Sequence, residues 1–558
     1  MNKAFYLFLT LFLAALNAFA VPARKGVWQR LTLTDGTKVE AQLMGDEHLH
    51  FWESADGSCY VADRDTYRRV DAAQLMETSI ARRTHASRRR KASHRNEAIG
   101  DFTAFQGQKR GLIILVEFDG TTVFMPAHNR ALYERICNEE GFTSAEGFRG
   151  SVHDYFKAQS YGQFELTFDI VGPVKLKNSY SYYGQNGDDG NDLRAGEMVA
   201  EACMSVDSEV DFSRYDWNGN GYADQVVVIY AGRGEADGGG RNTIWPHEWE
   251  LSESDYESTL RLDNVYIDTY AVINELSASG IAGIGTICHE FSHCLGLPDM
   301  YDIYNTGNYG MGTWSVMASG NYNGNGFVPA GFTSFERYTC GWLTPKELVR
   351  VTEVNDMMPL TDSPEAYLIR NDNYPDEYLL LENRQQKGWD ASLPGSGMLI
   401  LHVDFDRTIW ENNVVNTNVS EYMSVAYELP VNDHQHCTIF RAGNRYDRSS
   451  VASDAYPTST NSTLCNTSTP AAKLYHPNVD GTLLLNKGIS KITRNDDGTI
   501  AFRFYNSPSD PGTVVGIDDV SLHDSVPSDN CHRLVVRDGR LTIDGRYDLM
   551  GRRLIIKD

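Results

Sequence analysis

Eleven residues constrain this chain more than any other stretch. They run His289-Glu290-Phe291-Ser292-His293-Cys294-Leu295-Gly296-Leu297-Pro298-Asp299, inside the segment Gly280–Asp302. On a helix, the i, i+4 spacing puts His289 and His293 on one face, one turn apart. Two neutral imidazoles so placed can share one Zn²⁺. Glu290 stands beside the first histidine and can serve a water molecule as general base without being a ligand. Gly296 supplies the left-handed residue that ends the helix, and the chain then folds back. Asp299 is thereby the expected third ligand. Asp302 and a more distal glutamate are the competing choices, and the Gly296 turn favours Asp299. Ser292, Cys288 and Cys294 are turned off the shared histidine face, so a covalent nucleophile is not expected.

Two further motifs carry chemistry. Gly312–Gly320 places Met317 in a small-residue turn, 24 residues after His293. A methionine turn of this kind forms an apolar floor under a catalytic zinc. Asp216, Asn218, Asn220, the Tyr222 carbonyl and Asp224 fall at positions 1, 3, 5, 7 and 9 of an EF-hand-like loop, with Gly221 at position 6. Position 12 is Val227 rather than glutamate, so a calcium ion there would be held modestly. An ordinary Asn/Gly turn before a buried strand is the competing reading.

Several segments together resemble the immune inhibitor A family of secreted bacterial metallopeptidases. They are HEFSHCLGLPDMYD, GTWSVMASG, PAGFTSFERYTCGWL, SVHDYFKAQSYGQFEL, DWNGNGYADQVVVIYAG, WPHEW, YLLLENRQQKGWD and LPGSGMLILHVD, spread over about Lys109 to Phe504. The resemblance implies a zinc peptidase made as a zymogen, with a mixed α/β, metzincin-like catalytic domain followed by a β-rich domain. It implies His289, His293 and Asp299 as zinc ligands and Glu290 as the catalytic glutamate. One departure stands out. Many metzincins place a tyrosine two residues after the turn methionine, and here that residue is Ser319. His247, Tyr309 and Tyr322 are the candidates for stabilising an oxyanion.

The rest of the chain frames this unit. Residues 1–20 combine Lys3, an apolar run and Ala18-Phe19-Ala20, and so predict a cleaved secretory signal peptide. Residues 21–108 alternate apolar and polar positions around Asp-Gly turns, then end in the basic run Arg82–Arg95; they read as a small β-rich propeptide with an exposed, protease-sensitive linker. Residues 109–348 alternate strands and helices, giving the α/β catalytic domain. Residues 349–506 read as short strands without a long helix, an all-β, sandwich-like domain. Residues 507–558 are a linker and a strand-rich tail resembling C-terminal sorting domains of type IX secretion, with a plain terminal hairpin as the alternative.

The net charge of −25 argues against nucleic acid as a partner, and no later stretch is apolar enough to span a membrane. The nine cysteines form no CxxC; a Cys437–Cys465 disulfide is the one pairing suggested. Cys59 could cap zinc in the precursor, although an ordinary strand cysteine is the favoured reading. The sequence thus predicts a secreted or cell-surface zinc endopeptidase of a bacterium. It acts as a monomer on protein or peptide substrates, with zinc and structural calcium as cofactors. An inert adhesion protein on a peptidase fold is the alternative.

Overall fold

The computed structural model describes residues 19–46, 50–63, 66–71, 75, 105–187, 191–427, 429–445, 447–510, 534–537 and 540–543. The expected leader before residue 19, the Arg82–Arg95 linker and most of the tail lie outside the described residues. The chain forms two compact units, one through Asp510 and one from Pro511. In the second unit, Leu534–Arg537 pairs antiparallel with Arg540–Ile543.

The central sheet of the first unit explains the apolar runs of the sequence. Gly107–Glu117 lies parallel to Phe164–Lys175 on one side and to Val226–Arg233 on the other. Thr269–Ser277 continues the parallel set, and His247–Glu250 adds antiparallel at the edge. Helices cover both faces, so these strands have no polar side to show. Alternate residues serve two cores. Ile113, Leu115, Val227 and Ile229 pack with the helices Val152–Gln159 and Gly285–Cys294. Leu112, Ile114, Val226 and Val228 pack with Met198, Val199 and Cys203 of the helix Ala195–Val206. Ser151 and Asp154 form a reciprocal cap at the start of Val152–Gln159, which fixes where that helix begins.

The β-rich region is less independent than its sequence suggests. A five-stranded sheet, in the order Lys346–Glu347, Ala366–Arg370, Glu377–Arg384, Gly397–Asp404, Cys437–Ile439, faces a three-stranded sheet of Thr352–Met357, Ile500–Tyr505 and Gly488–Arg494. Leu379, Leu381, Met398 and Ile400 pack toward the three-stranded sheet. Leu380, Leu399, Leu401 and Val403 instead join the core of the catalytic part, beside Trp314 and Phe335. Both faces are covered, which is why Glu377–Arg384 and Gly397–Asp404 are buried at every residue. Arg384 latches the two parts: it binds Asp390 and Glu382 and donates to the carbonyls of Trp314 and Gly331.

At the N-terminal end, Trp28–Thr32, Lys38–Gly45, His50–Ser54, Cys59–Asp63 and Thr66–Val70 form an antiparallel meander, as the Asp-Gly spacing predicts. Leu31, Leu43, Trp52 and Tyr60 of this sheet share a core with Trp245 and Ala236. Cys59 lies in a small cluster with Phe51 and Leu75, and its thiol faces the Gly57 carbonyl, so it does not cap the histidine site. The suggested Cys437–Cys465 disulfide is not formed, and all eight described cysteines are free thiols. Cys437 is committed to the core against the catalytic part, whereas the Cys465 sulfur faces the Thr467 hydroxyl.

Candidate metal centre and peptide cleft

The helix Gly285–Cys294 carries His289, Glu290 and His293, all fully buried. Its start is pressed against the turn that follows Met317. A Cβ on Gly285 would come within 1.8 Å of the Asn321 carbonyl oxygen, and one on Gly283 within 2.2 Å of the Gly326 carbonyl. Only glycine allows this approach. Gly296 ends the region with φ +83°, the left-handed turn expected of it.

The hydrogen bonds fix the state of each imidazole. His289 Nδ1 meets the Val316 carbonyl at 2.8 Å, and His293 Nδ1 meets the Leu297 carbonyl at 2.7 Å. A carbonyl only accepts, so each Nδ1 carries the proton and each Nε2 presents a lone pair. The two Nε2 atoms lie 3.2 Å apart. Asp299 Oδ1 lies 3.3 Å from one and 3.7 Å from the other, and it is buried without a hydrogen-bond partner. With both imidazoles neutral, three acceptors converge here. That is repulsive unless a cation sits among them, and two nitrogens with a carboxylate suit Zn²⁺.

The supports come from distant parts of the chain. Met300 N donates to the Met317 carbonyl at 2.7 Å, tying the segment after Asp299 to the methionine turn. Met317 is fully buried in the same core as Ile287 and Phe291 of the helix. Asn413, from the β-rich region, clamps Asp299 twice. Its Nδ2 donates to Asp299 Oδ2 and its Oδ1 accepts from Asp299 N, each at 2.8 Å. No local signal in the sequence points to Asn413, which lies 114 residues beyond its partner. Asp302, the competing ligand, is engaged elsewhere: it accepts from Thr306 Oγ1, Gly307 N and Asn308 N.

Among the oxyanion candidates, His247 is turned toward the Trp245 carbonyl and Tyr270 Oη, and Tyr309 Oη pairs with Ser450. Tyr322 Oη donates at 2.8 Å to the carbonyl of Pro22, which lies in the cleft beside Glu290. Burial, with the nearby Asp237 carboxylate, holds the Tyr322 phenol well above its usual pKa, so it remains a neutral donor.

Residues 19–22 run beside this site. Phe19–Ala20 pairs antiparallel with the edge strand His247–Glu250. Val21 N then donates to Glu290 Oε1 at 3.1 Å.

The Asp216–Asp224 loop closes on itself. Asp216 accepts from Gly219, Asn220 and Gly221, Asn218 from Asn220, Asn220 from Tyr222, and Asp224 from Trp217, all through backbone N–H groups. These contacts suffice to shape the turn, and the expected calcium ion rests on the sequence spacing. Elsewhere, Asp404, His434 and His436 converge in the β-rich region, with His476 Nε2 at 3.1 Å from Asp404. Their separation along the chain hides this grouping from the sequence.

Part of the chain resembles known proteins. Residues 113–344 match the immune inhibitor A peptidase M6 catalytic domain. Over 272 residues the chain is 28% identical to the pre-pro-metalloprotease PrtV of Vibrio cholerae, covering 41% of this chain and 30% of the relative. Over 233 residues it is 27% identical to immune inhibitor A of Bacillus thuringiensis subsp. alesti, covering 37% of this chain and 34% of the relative. The chain thus spans about a third of the length of the curated relatives it matches. The helix with its paired histidines, Asp299 and the Met317 turn all fall inside the segment that matches the immune inhibitor A peptidase M6 catalytic domain.

Proposed function

We propose that this chain is a zinc-dependent endopeptidase, exported from a bacterial cell through a cleaved signal peptide and made as a zymogen. The carrying observation is the buried, acceptor-only triad of His289 Nε2, His293 Nε2 and Asp299 Oδ1. These three residues would hold the metal. When bound, zinc supplies Lewis-acid chemistry, acidifying water and polarising a carbonyl.

The chain's own groups do the rest. Glu290 takes the proton of the attacking water and returns it to the nitrogen of the leaving amine. Tyr322 donates its hydroxyl to a peptide carbonyl beside Glu290, as it does to the Pro22 carbonyl, and so helps hold the substrate backbone. The edge strand His247–Glu250 offers its backbone to an extended substrate, as it does to Phe19–Ala20. Met317 and the Val316 carbonyl hold the floor and the tautomer of His289. No helix among the described residues is long and apolar enough to cross a membrane. Calcium in the Asp216–Asp224 loop belongs to the same proposal, and it predicts a higher melting temperature when Ca²⁺ is added to the metal-stripped protein.

The test is metal content and casein hydrolysis measured together. His289→Ala or His293→Ala should lose zinc and activity at once, because a two-ligand site binds weakly. Glu290→Ala should keep zinc and lose rate by orders of magnitude, about 10²-fold or more. Near-normal turnover in Glu290→Ala would reject its role, and activity surviving a zinc chelator would reject the metal.

A further inference from the structure

A histidine cluster in the β-rich region has contacts that lead back to the candidate metal centre. His434 stands between two carboxylates. Its Nδ1 meets Asp433 Oδ1 at 2.6 Å, and its Nε2 meets Asp404 Oδ2 at 2.8 Å. A carboxylate only accepts, so this geometry asks both ring nitrogens to carry protons. Asp404 is buried, and His476 Nε2 reaches the same oxygen at 3.1 Å. His436 Nδ1 is committed to the Asp404 carbonyl at 2.5 Å. The His434 and His436 rings lie stacked, 4.2 Å apart at 20°, so they do not aim their nitrogens at one point as His289 and His293 do. These contacts suit a proton rather than a metal. Tyr475 stacks on His434 at 3.7 Å and on His402 at 4.9 Å, and His402 in turn meets Glu377 at 2.8 Å.

The segment that carries His434 and His436 also holds the loop that reaches Asp299. Asn432 Nδ2 donates to the Val414 carbonyl at 2.7 Å, His436 N to the Val415 carbonyl at 2.8 Å, and Cys437 N to Asn416 Oδ1 at 3.1 Å. Successive residues of the loop are thus set by residues 432–437. From that loop, Asn413 clamps Asp299. Asn416 Nδ2 donates to the Met300 carbonyl at 3.0 Å, and Thr417 Oγ1 accepts from Ile303 N at 2.9 Å. Asp404 N also donates to the His436 carbonyl at 2.9 Å. An unbroken run of backbone and hydrogen bonds therefore joins Asp404 and His434 to the carboxylate that faces the paired histidines.

We propose that His434, bridging Asp404 and Asp433, is a positioning residue for Asp299: its doubly protonated ring holds the 432–437 segment and, through it, the Asn413 clamp, and loss of one proton loosens the clamp and weakens metal binding. This rests on the metal reading of the site. It names a regulation, a decline in metal affinity as pH rises through the titration of His434. A neutral imidazole has one N–H and serves only one of the two carboxylates, and the buried Asp404 loses the cation beside it. Burial opposes charge on His434, but the two carboxylates outweigh it and hold its pKa above the usual value, so the doubly protonated ring persists toward neutral pH. The sign is diagnostic. Ligand deprotonation alone makes a histidine site bind more tightly as pH rises.

The test is the Zn²⁺ affinity of the full-length, metal-stripped chain, by competition with a chromophoric chelator across the histidine titration range. Affinity should rise as the ligands lose protons and then fall about three- to tenfold as His434 loses its own. His434→Gln should bind about three- to tenfold more weakly than the parent on the acid side of that step and show no fall, whereas His434→Arg, with a fixed charge, should stay tight across it. Hydrogen exchange of the peptide spanning Asp299, corrected for the intrinsic rate, reads the same coupling without metal: protection should drop across the step in the parent and not in His434→Gln. Affinity that only rises with pH, a His434→Gln chain within about twofold of the parent on the acid side, or flat protection at Asp299 would overturn the proposal. So would a second zinc equivalent that His434→Gln loses, since the cluster would then be a metal site. If the chain takes up no zinc, the metal reading fails and hydrogen exchange alone decides the coupling. If zinc binds with the expected pH dependence but casein is untouched, the proposal stands and only the peptidase reading fails.

Discussion

Asn413 tests whether the β-rich region is part of the metal site. Its side chain makes two 2.8 Å hydrogen bonds to Asp299, one to the carboxylate and one from the backbone N–H. It is buried and sits at φ +51°, where asparagine is tolerated and alanine is strained. Asn413→Gly removes the side chain but keeps the backbone comfortable. A hydrogen bond to a charged group contributes about 1.5–3 kcal/mol, and stranding the buried Asp299 N–H costs about 1–3 kcal/mol. Destabilisation of about 2.5–6 kcal/mol follows for glycine, and about 1 kcal/mol more for alanine through the left-handed backbone. Loss of a residue that orients a ligand typically weakens metal binding about 10–100-fold. The assay is zinc affinity by competition with a chromophoric chelator, alongside thermal melting of the metal-free protein. If Asn413→Gly melts like the parent and binds zinc within about twofold of it, the clamp reasoning is wrong.

Tyr322→Phe should raise KM for an extended peptide with little change in zinc content, since it removes one donor to the bound backbone; an unchanged KM would reject that contact. Arg384→Ala should destabilise by about 3–5 kcal/mol, because Asp390 and Glu382 would be left buried without their shared cation; chemical denaturation reads this directly, and a loss under about 1 kcal/mol would contradict it. Burial works against a charged His434, but hydrogen bonds to Asp404 and Asp433 outweigh it and hold its pKa above the usual value. Its contribution is therefore complete below the unfolded histidine pKa of about 6.5 and fades as pH rises through the higher folded value. Melting temperature should fall across that window in the parent and fall less in His434→Ala.

The sequence by itself determined the elements whose cause is local. The short apolar, β-branched run before Glu117 carries the signature of a buried strand, and it forms one. The spacing of His289 and His293 puts two imidazoles on one helical face before any tertiary contact forms, and Gly296 turns the chain back toward them. The tertiary structure decided what depends on distant partners. Protons sit on Nδ1 because the Val316 and Leu297 carbonyls arrive there, and Asp299 rather than Asp302 faces the histidines because the Thr306–Asn308 backbone already occupies Asp302. The β-rich region, which reads as a separate sandwich, shares the catalytic core and supplies Asn413, because strands buried on two faces look alike in sequence whatever covers them. The contact of Val21 with Glu290 was equally invisible. Val21 lies 269 residues from Glu290, and no periodicity or spacing encodes a contact made only when the whole chain closes.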